Sequence, residues 1–311
     1  MVFQVTFIAV VQSEEFLCGQ VVGVLTTLDT PIVASTFGAE PWAERGDGPP
    51  TRCASMEAVG CPRIEVGACP NLSAGRITGF ESCGLQRDFI LTLPEAHDPA
   101  TPRPLVFLWH GLGDDAQSVL DGTQMGAYVD QEDFILITPS SQALPVEWDQ
   151  LSTADNADLA FFDDMVTCAR AKLGADPERV HVTGMSAGGL WSTYLSVFRA
   201  DAVASAAPMS GGLIADYVAP ERKMPILVSW GGENDVAVDQ NFHVFAQNLL
   251  MDLEGGGHFS VACNHGLEHV WEVDFTPWVL RFLLDHPRDL EAEPYADALP
   301  PIFPDYCVLP D

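Results

Sequence analysis

Residues 180–198 read VHVTGMSAGGLWSTYLSVF, and the fold turns on them. VHVTGM (180–185) has the β-branched make-up of an interior strand. Leu190, Tyr194, Leu195 and Phe198 then recur at helical spacing. Between the two, Gly184-Met185-Ser186-Ala187-Gly188 fits G-x-S-x-G. In that motif a serine sits on a sharp strand-to-helix turn, and small neighbours let helix and strand approach closely, so the hydroxyl stands proud of the sheet. An isolated G-x-S-x-G arises by chance. A strand before it and a helix after it supply the context the motif needs.

Working outward, the same alternation continues. RDFILTLP (87–94), PLVFLW (104–109) and DFILITP (133–139) read as strands, the second as a continuous apolar run buried on both faces. Leu159, Phe162, Val166, Ala169 and Leu173 mark a helix within 156–173. Downstream come AVASAAP (202–208), PILVSWG (225–231), a helix over about 240–253, FSVAC (259–263) and a last helix over about 273–285. Apolar strands alternating with amphipathic helices predict an α/β domain: a mostly parallel sheet with helices on both faces. With the serine turn in place, the expected architecture is the α/β-hydrolase fold, over residues 87–288. Residues 1–52 are expected to form a β-rich extension, since Phe3, Val5, Phe7, Ala9 and Val11 alternate. Residues 53–86 form a cysteine-rich loop region, and 289–311 an acidic, proline-rich tail without periodicity.

Composition narrows the partners. The 311 residues include 14 Lys and Arg against 44 Asp and Glu, a net charge of −30. Such a surface repels phosphate backbones and anionic lipid, which disfavours nucleic acid, membrane surfaces and polyanionic substrates. A neutral substrate and a monomer fit. Eight cysteines, four of them crowded between Cys53 and Cys83, suggest disulfides and an oxidising compartment. Zinc is the competing reading, but the cluster has no C-x-x-C pair and no nearby histidine. Connectivity stays open. No stretch is long enough to span a bilayer. MVFQVTFIAVV (1–11) lacks the basic start of a signal peptide, so a secreted protein is expected to carry its export signal upstream.

The chemistry follows from the serine. Trp109-His110-Gly111-Leu112-Gly113 leaves the end of a buried strand, where this fold supplies one backbone N–H to an oxyanion hole. The other comes from the residue after the nucleophile. The expected donors are Leu112 and Ala187. His110 receives no proton-transfer role; its place suits hydrogen bonding that shapes this loop on the substrate side. The serine needs a base, and the base an orienting carboxylate, in the chain order Ser, Asp, His. The acid belongs just past the next long strand, where Asp235 is preferred and Glu233 and Asp239 are alternatives. The base belongs in CNHGLEHVW, which offers His265 and His269. No metal or organic cofactor is required.

CGLQRDFILTLP, LVFLWHGLGDD, the Trp148 region, DLAFFDDMV, DPERVHVTGMSAGGLWS, SAAPMSGG, WGGENDVAV and CNHGLEHVWEV together resemble the secreted polyhydroxybutyrate depolymerase and feruloyl esterase-like (LpqC-like) α/β hydrolases, over about residues 83–286. The resemblance implies a secreted serine esterase with Ser186, Asp235 and His269 as its triad. It also places Trp148 near the mouth of the active site as a substrate-binding aromatic. Two departures stand out. Cys168 lacks the mate these proteins often show and is expected to be a free buried thiol. Trp230-Gly-Gly replaces the frequent His-Gly-Thr before the acid, which leaves the ester open. A serine peptidase or amidase, or an inactive binding protein on the same fold, are the alternatives.

Overall fold

The strand Arg103–Trp109 (β3) has all seven residues buried. Its side chains alternate between two cores. Leu105, Phe107 and Trp109 enter one cluster, Val106 and Leu108 the other. That is the period-2 geometry of a strand covered on both faces. Strands Ile135–Pro139 (β4), Ser205–Met209 (β6) and Ile226–Trp230 (β7) are likewise buried along their whole length.

In the computed structural model, residues 61, 63–142, 147–152, 155–220, 222–288 and 290–310 are described. The extension expected over 1–52, with Cys18, and Cys53 beyond it lie outside them. Preceding β3 are Gly75–Ser82 (β1) and Leu85–Thr92 (β2); after it come helices Ala116–Thr123 (α1) and Val129–Glu132 (α2), then β4. Helix Ala157–Leu173 (α3), strand Ala175–Met185 (β5) and helix Ala187–Phe198 (α4) lead to β6 and β7. A short hairpin, Val236–Ala237 (β8) with Gln240–Asn241 (β9), opens into helix Phe242–Gly256 (α5). Strand Ser260–Asn264 (β10), helix Thr276–Asp285 (α6) and strand Cys307–Val308 (β11) complete the order.

The main sheet runs β1-β2-β4-β3-β5-β6-β7-β10-β11. From β4 to β10 neighbouring strands are parallel; β1, β2 and β11 are antiparallel additions at the two edges. One face is covered by α3, α4 and α5, through residues such as Phe162, Trp191 and Leu249. The other is covered by α1 and α6, through Val119, Trp278 and Phe282. This is the α/β-hydrolase arrangement. Among the described residues, no helix is long and apolar enough to cross a membrane, and no cluster of side chains is suited to a metal ion.

Two stretches differ from expectation. Gly75–Ser82, inside the segment read as loop, pairs with β2 as an edge strand. Its outer positions are mostly exposed, so it never shows the apolar run that marks an interior strand. The tail after 288 is folded onto the α6 face, with Tyr295, Phe303 and Cys307 buried there. The cysteines also need correction. Cys168 is no free thiol: it is bonded to Cys69, 99 residues upstream. Cys61 joins Cys83, and Cys263 joins Cys307. A mate from across the chain is invisible to a search of the sequence around Cys168.

Candidate active site

Ser186 stands between β5 and α4 with φ 58° and ψ −122°. A non-glycine residue there is strained, and strain of this kind persists only where the surroundings enforce it. Here the surroundings are tight. A Cβ on Gly188 would collide with the Trp109 backbone of β3, and one on Gly184 with the backbone of Gly188. The strand and helix can therefore meet at the serine only because both positions are glycine. The Ser186 N–H donates to Met209 O on β6 at 3.0 Å. A serine before a helix ordinarily spends its hydroxyl on capping. Ser186 makes no side-chain cap bond, so its Oγ is left for other chemistry.

Asp235 follows β7 and is fully buried. Its Oδ2 accepts the Ser210 hydroxyl at 2.8 Å and the Gly231 N–H at 2.8 Å; its Oδ1 faces His269 Nδ1 at 2.6 Å. Burial alone would raise the carboxyl pKa. The bonds from His269, Gly231 and Ser210 outweigh it and hold the group below the ordinary value. Glu233 and Asp239, the alternatives, are exposed. Ser210 was not singled out from sequence. It has φ 43° and is tied by its N–H to Ser229 O. It is the residue after Met209, so a short run of contacts joins the serine backbone to the buried acid. Nothing marks it in advance except its place in SAAPMSGG at the end of a strand.

The two loop histidines separate cleanly. His269 follows β10 and is 18% exposed at its side chain. Its ring lies 4.5 Å from that of Phe242, and Asp235 fixes Nδ1, which leaves Nε2 as the outward nitrogen. The loop comes close because Gly231 has no side chain: a Cβ there would overlap the Glu268 backbone. His265 is 8% exposed and packs on Phe275 at 4.8 Å. Its Nδ1 accepts the Leu267 N–H at 3.3 Å, so it braces the loop. Burial lowers its pKa, against a smaller opposing pull from Asp235.

The loop after β3, from which one oxyanion donor is expected, lies beside the serine. A Cβ on Gly111 would sit 3.5 Å from Ser186 Cβ. Leu112 is exposed and Ala187 buried. Ala187 opens α4, so its N–H has no acceptor within the helix. Trp148 and His110 are expected from sequence on the substrate side of the site. Both are fully buried. Trp148 packs between Trp109 and Trp191, and its Nε1 donates to His110 O at 3.0 Å. His110 Nε2 accepts the Ser141 N–H at 3.1 Å, and Nδ1 lies 2.9 Å from Gly111 O. With that pairing the proton sits on Nδ1 and neither nitrogen is free for substrate. An aromatic in a loop near a site is as easily a wall of the core as a lining of the pocket, and the sequence alone does not separate the two.

A serine released from capping and a histidine held by a buried carboxylate thus lie on a sheet of the α/β-hydrolase fold. No family model matches the chain. By sequence it is similar to feruloyl esterase D of Neurospora crassa, 28% identical over 51% of this chain and 57% of that protein. It is also similar to the oxidized polyvinyl alcohol hydrolase of a Pseudomonas species, 24% identical over 47% of this chain and 51% of that protein. The chain thus spans about half the length of these curated relatives. Among solved structures, native pOPH superposes with a TM-score of 0.63 at 18% identity, covering 77% of this chain and 95% of that one.

Proposed function

We propose that this protein is a serine esterase that hydrolyses neutral carboxylic esters through an acyl-enzyme on Ser186. The observation that carries the reading is the 2.6 Å contact of His269 Nδ1 with the buried Asp235 carboxylate. It leaves Nε2 as the base. His269 takes the Ser186 proton as Oγ attacks the ester carbonyl, and returns it to the leaving alcohol. Asp235 holds the imidazole in the right tautomer and stabilises the imidazolium. The N–H groups of Leu112 and Ala187 receive the oxyanion. Water, activated by the same histidine, then releases the acid. Relatives named feruloyl esterase and oxidized polyvinyl alcohol hydrolase support an ester as the bond cleaved. The three disulfides of the described residues support an extracellular setting, and the −30 charge a neutral substrate.

The test is Ser186→Ala assayed on p-nitrophenyl acetate and a feruloyl ester. Hydrolysis should fall on the order of 10⁴-fold or more, with the circular dichroism spectrum unchanged. Near-normal turnover overturns the reading. A wild-type protein that cleaves peptide anilides and spares esters would assign it to peptidases instead.

A further inference from the structure

Between β4 and α3 the chain buries a carboxylate to which sequence reasoning gave no role. Glu147 is 4% exposed and has φ 63°. Its Oε2 accepts the Gly113 N–H at 3.0 Å, and its Oε1 accepts the Ser141 hydroxyl. Both partners belong to the framework of the loop after β3. The Asp114 N–H donates to Gly111 O at 3.2 Å, closing a turn over 111–114 with Gly113 at φ 74°. Positive φ at the third residue gives that turn the type II form. Ser141 in turn holds His110, and His110 Nδ1 reaches Gly111 O. The segment that carries Glu147 is itself anchored. The Asp149 N–H donates to Asp158 Oδ2 at 2.8 Å, and Asp158 is paired with buried Arg87 at 2.6 Å.

The turn has N–H groups at Leu112 and Gly113 beside the nucleophile. Glu147 consumes the one on Gly113. The one on Leu112 has no acceptor among the described residues. We propose that Glu147 is a positioning residue for the oxyanion hole: by taking the Gly113 N–H it fixes the tilt of the 111–114 turn and leaves Leu112 N–H as the donor for the oxyanion. This rests on the esterase reading above. A negative charge next to a site that must stabilise an oxyanion opposes catalysis electrostatically. The role is therefore that of an acceptor, and a neutral acceptor of the same shape should do as well. A glutamine can accept from Gly113 through Oε1 while its amide donates to the Ser141 hydroxyl.

The experiment compares wild type, Glu147→Ala and Glu147→Gln on p-nitrophenyl acetate, with active sites counted by a fluorophosphonate probe. A boronic acid serves as a mimic of the tetrahedral oxyanion. Losing an oxyanion donor costs about 10²- to 10³-fold; misplacing one through its support should cost about 10- to 100-fold in kcat per labelled site, with KM within about threefold. Boronate affinity should fall in parallel. Glu147→Gln should keep kcat within about threefold of wild type. A role confined to stability would instead lower the labelled fraction and the melting temperature, with kcat per labelled site unchanged; that result overturns the proposal. So does Glu147→Gln as impaired as the alanine variant. If Glu147→Ala gives no labelled protein, Glu147→Asp carries the test, since a carboxylate withdrawn by one methylene should lose kcat in the same way, and wild-type kcat there overturns the proposal. A wild-type protein that neither labels nor hydrolyses overturns the esterase reading and the role of Glu147 with it.

Discussion

Asp235 and His269 share one short contact, and in the proposed esterase most of the reactivity hangs on it. Asp235→Asn should cut kcat by about 10⁴-fold by leaving the imidazole in the wrong tautomer, which steady-state kinetics will show. The carboxyl pKa is depressed in the folded state. Its contribution to stability is thus present above the unfolded value of about 3.9 and lost as pH falls through the folded one. Melting curves of wild type and Asp235→Asn should converge only below about pH 4. His269→Ala should lose several orders of magnitude in kcat, whereas His265→Ala, which removes a brace, should lose about 10- to 100-fold. The reverse order would exchange their roles. Motif and chain order pointed to Ser186 and Asp235, while only the family resemblance preferred His269 to His265. Sequence passed over Ser210 and Glu147, whose work is to hold a neighbour. A hydrogen bond made across 34 residues, like that of Glu147 to Gly113, leaves no local pattern.

β5 leads into Ser186 from a strand whose middle carries a fully buried histidine, His181. Its Nδ1 lies 2.8 Å from Ser205 Oγ, and its Nε2 has no partner among the described residues. Burial pushes its pKa down to about 3, aided by His286 and Arg179 and opposed by Asp176. The unfolded chain binds this proton near pH 6.5 and the folded one does not, so stability falls as pH drops from about 6.5 toward 3, by up to about 1.4 kcal/mol per pH unit. His181→Gln should flatten that slope in thermal melts; an unchanged slope would locate the acid sensitivity elsewhere. Interior strands such as β3 and β4 were legible because burial on both faces forces an unbroken apolar run. β1 and β11 were not. An edge strand buries one face or less, and β11 is two residues held by its neighbours rather than by its own side chains.

At the scale of the molecule, covalent links do what periodicity cannot. Cys69–Cys168 ties the segment before β1 to the middle of α3 and closes 99 residues. A loop of that length constrains the unfolded chain by about 4 to 5 kcal/mol in the entropic model. Replacing both cysteines by serine should lower the melting temperature by about 10 °C while kcat per labelled site stays near wild type. The three links were foreseeable as a class from the cysteine content, and their pairing was not. Cys263–Cys307 is of another kind. It clasps β11 to the outer edge of β10, where the Asn264 N–H also meets Tyr306 O at 3.3 Å. Ser186, Asp235 and His269 all precede Cys307 in the chain. A copy in which β11 has not yet docked would hold all three and yet present β10 with its edge open and its thiol unmatched. Such an edge invites pairing with the same edge on another incompletely folded copy. Docking of β11 is thus the step after which two copies of this chain can no longer tangle along β10.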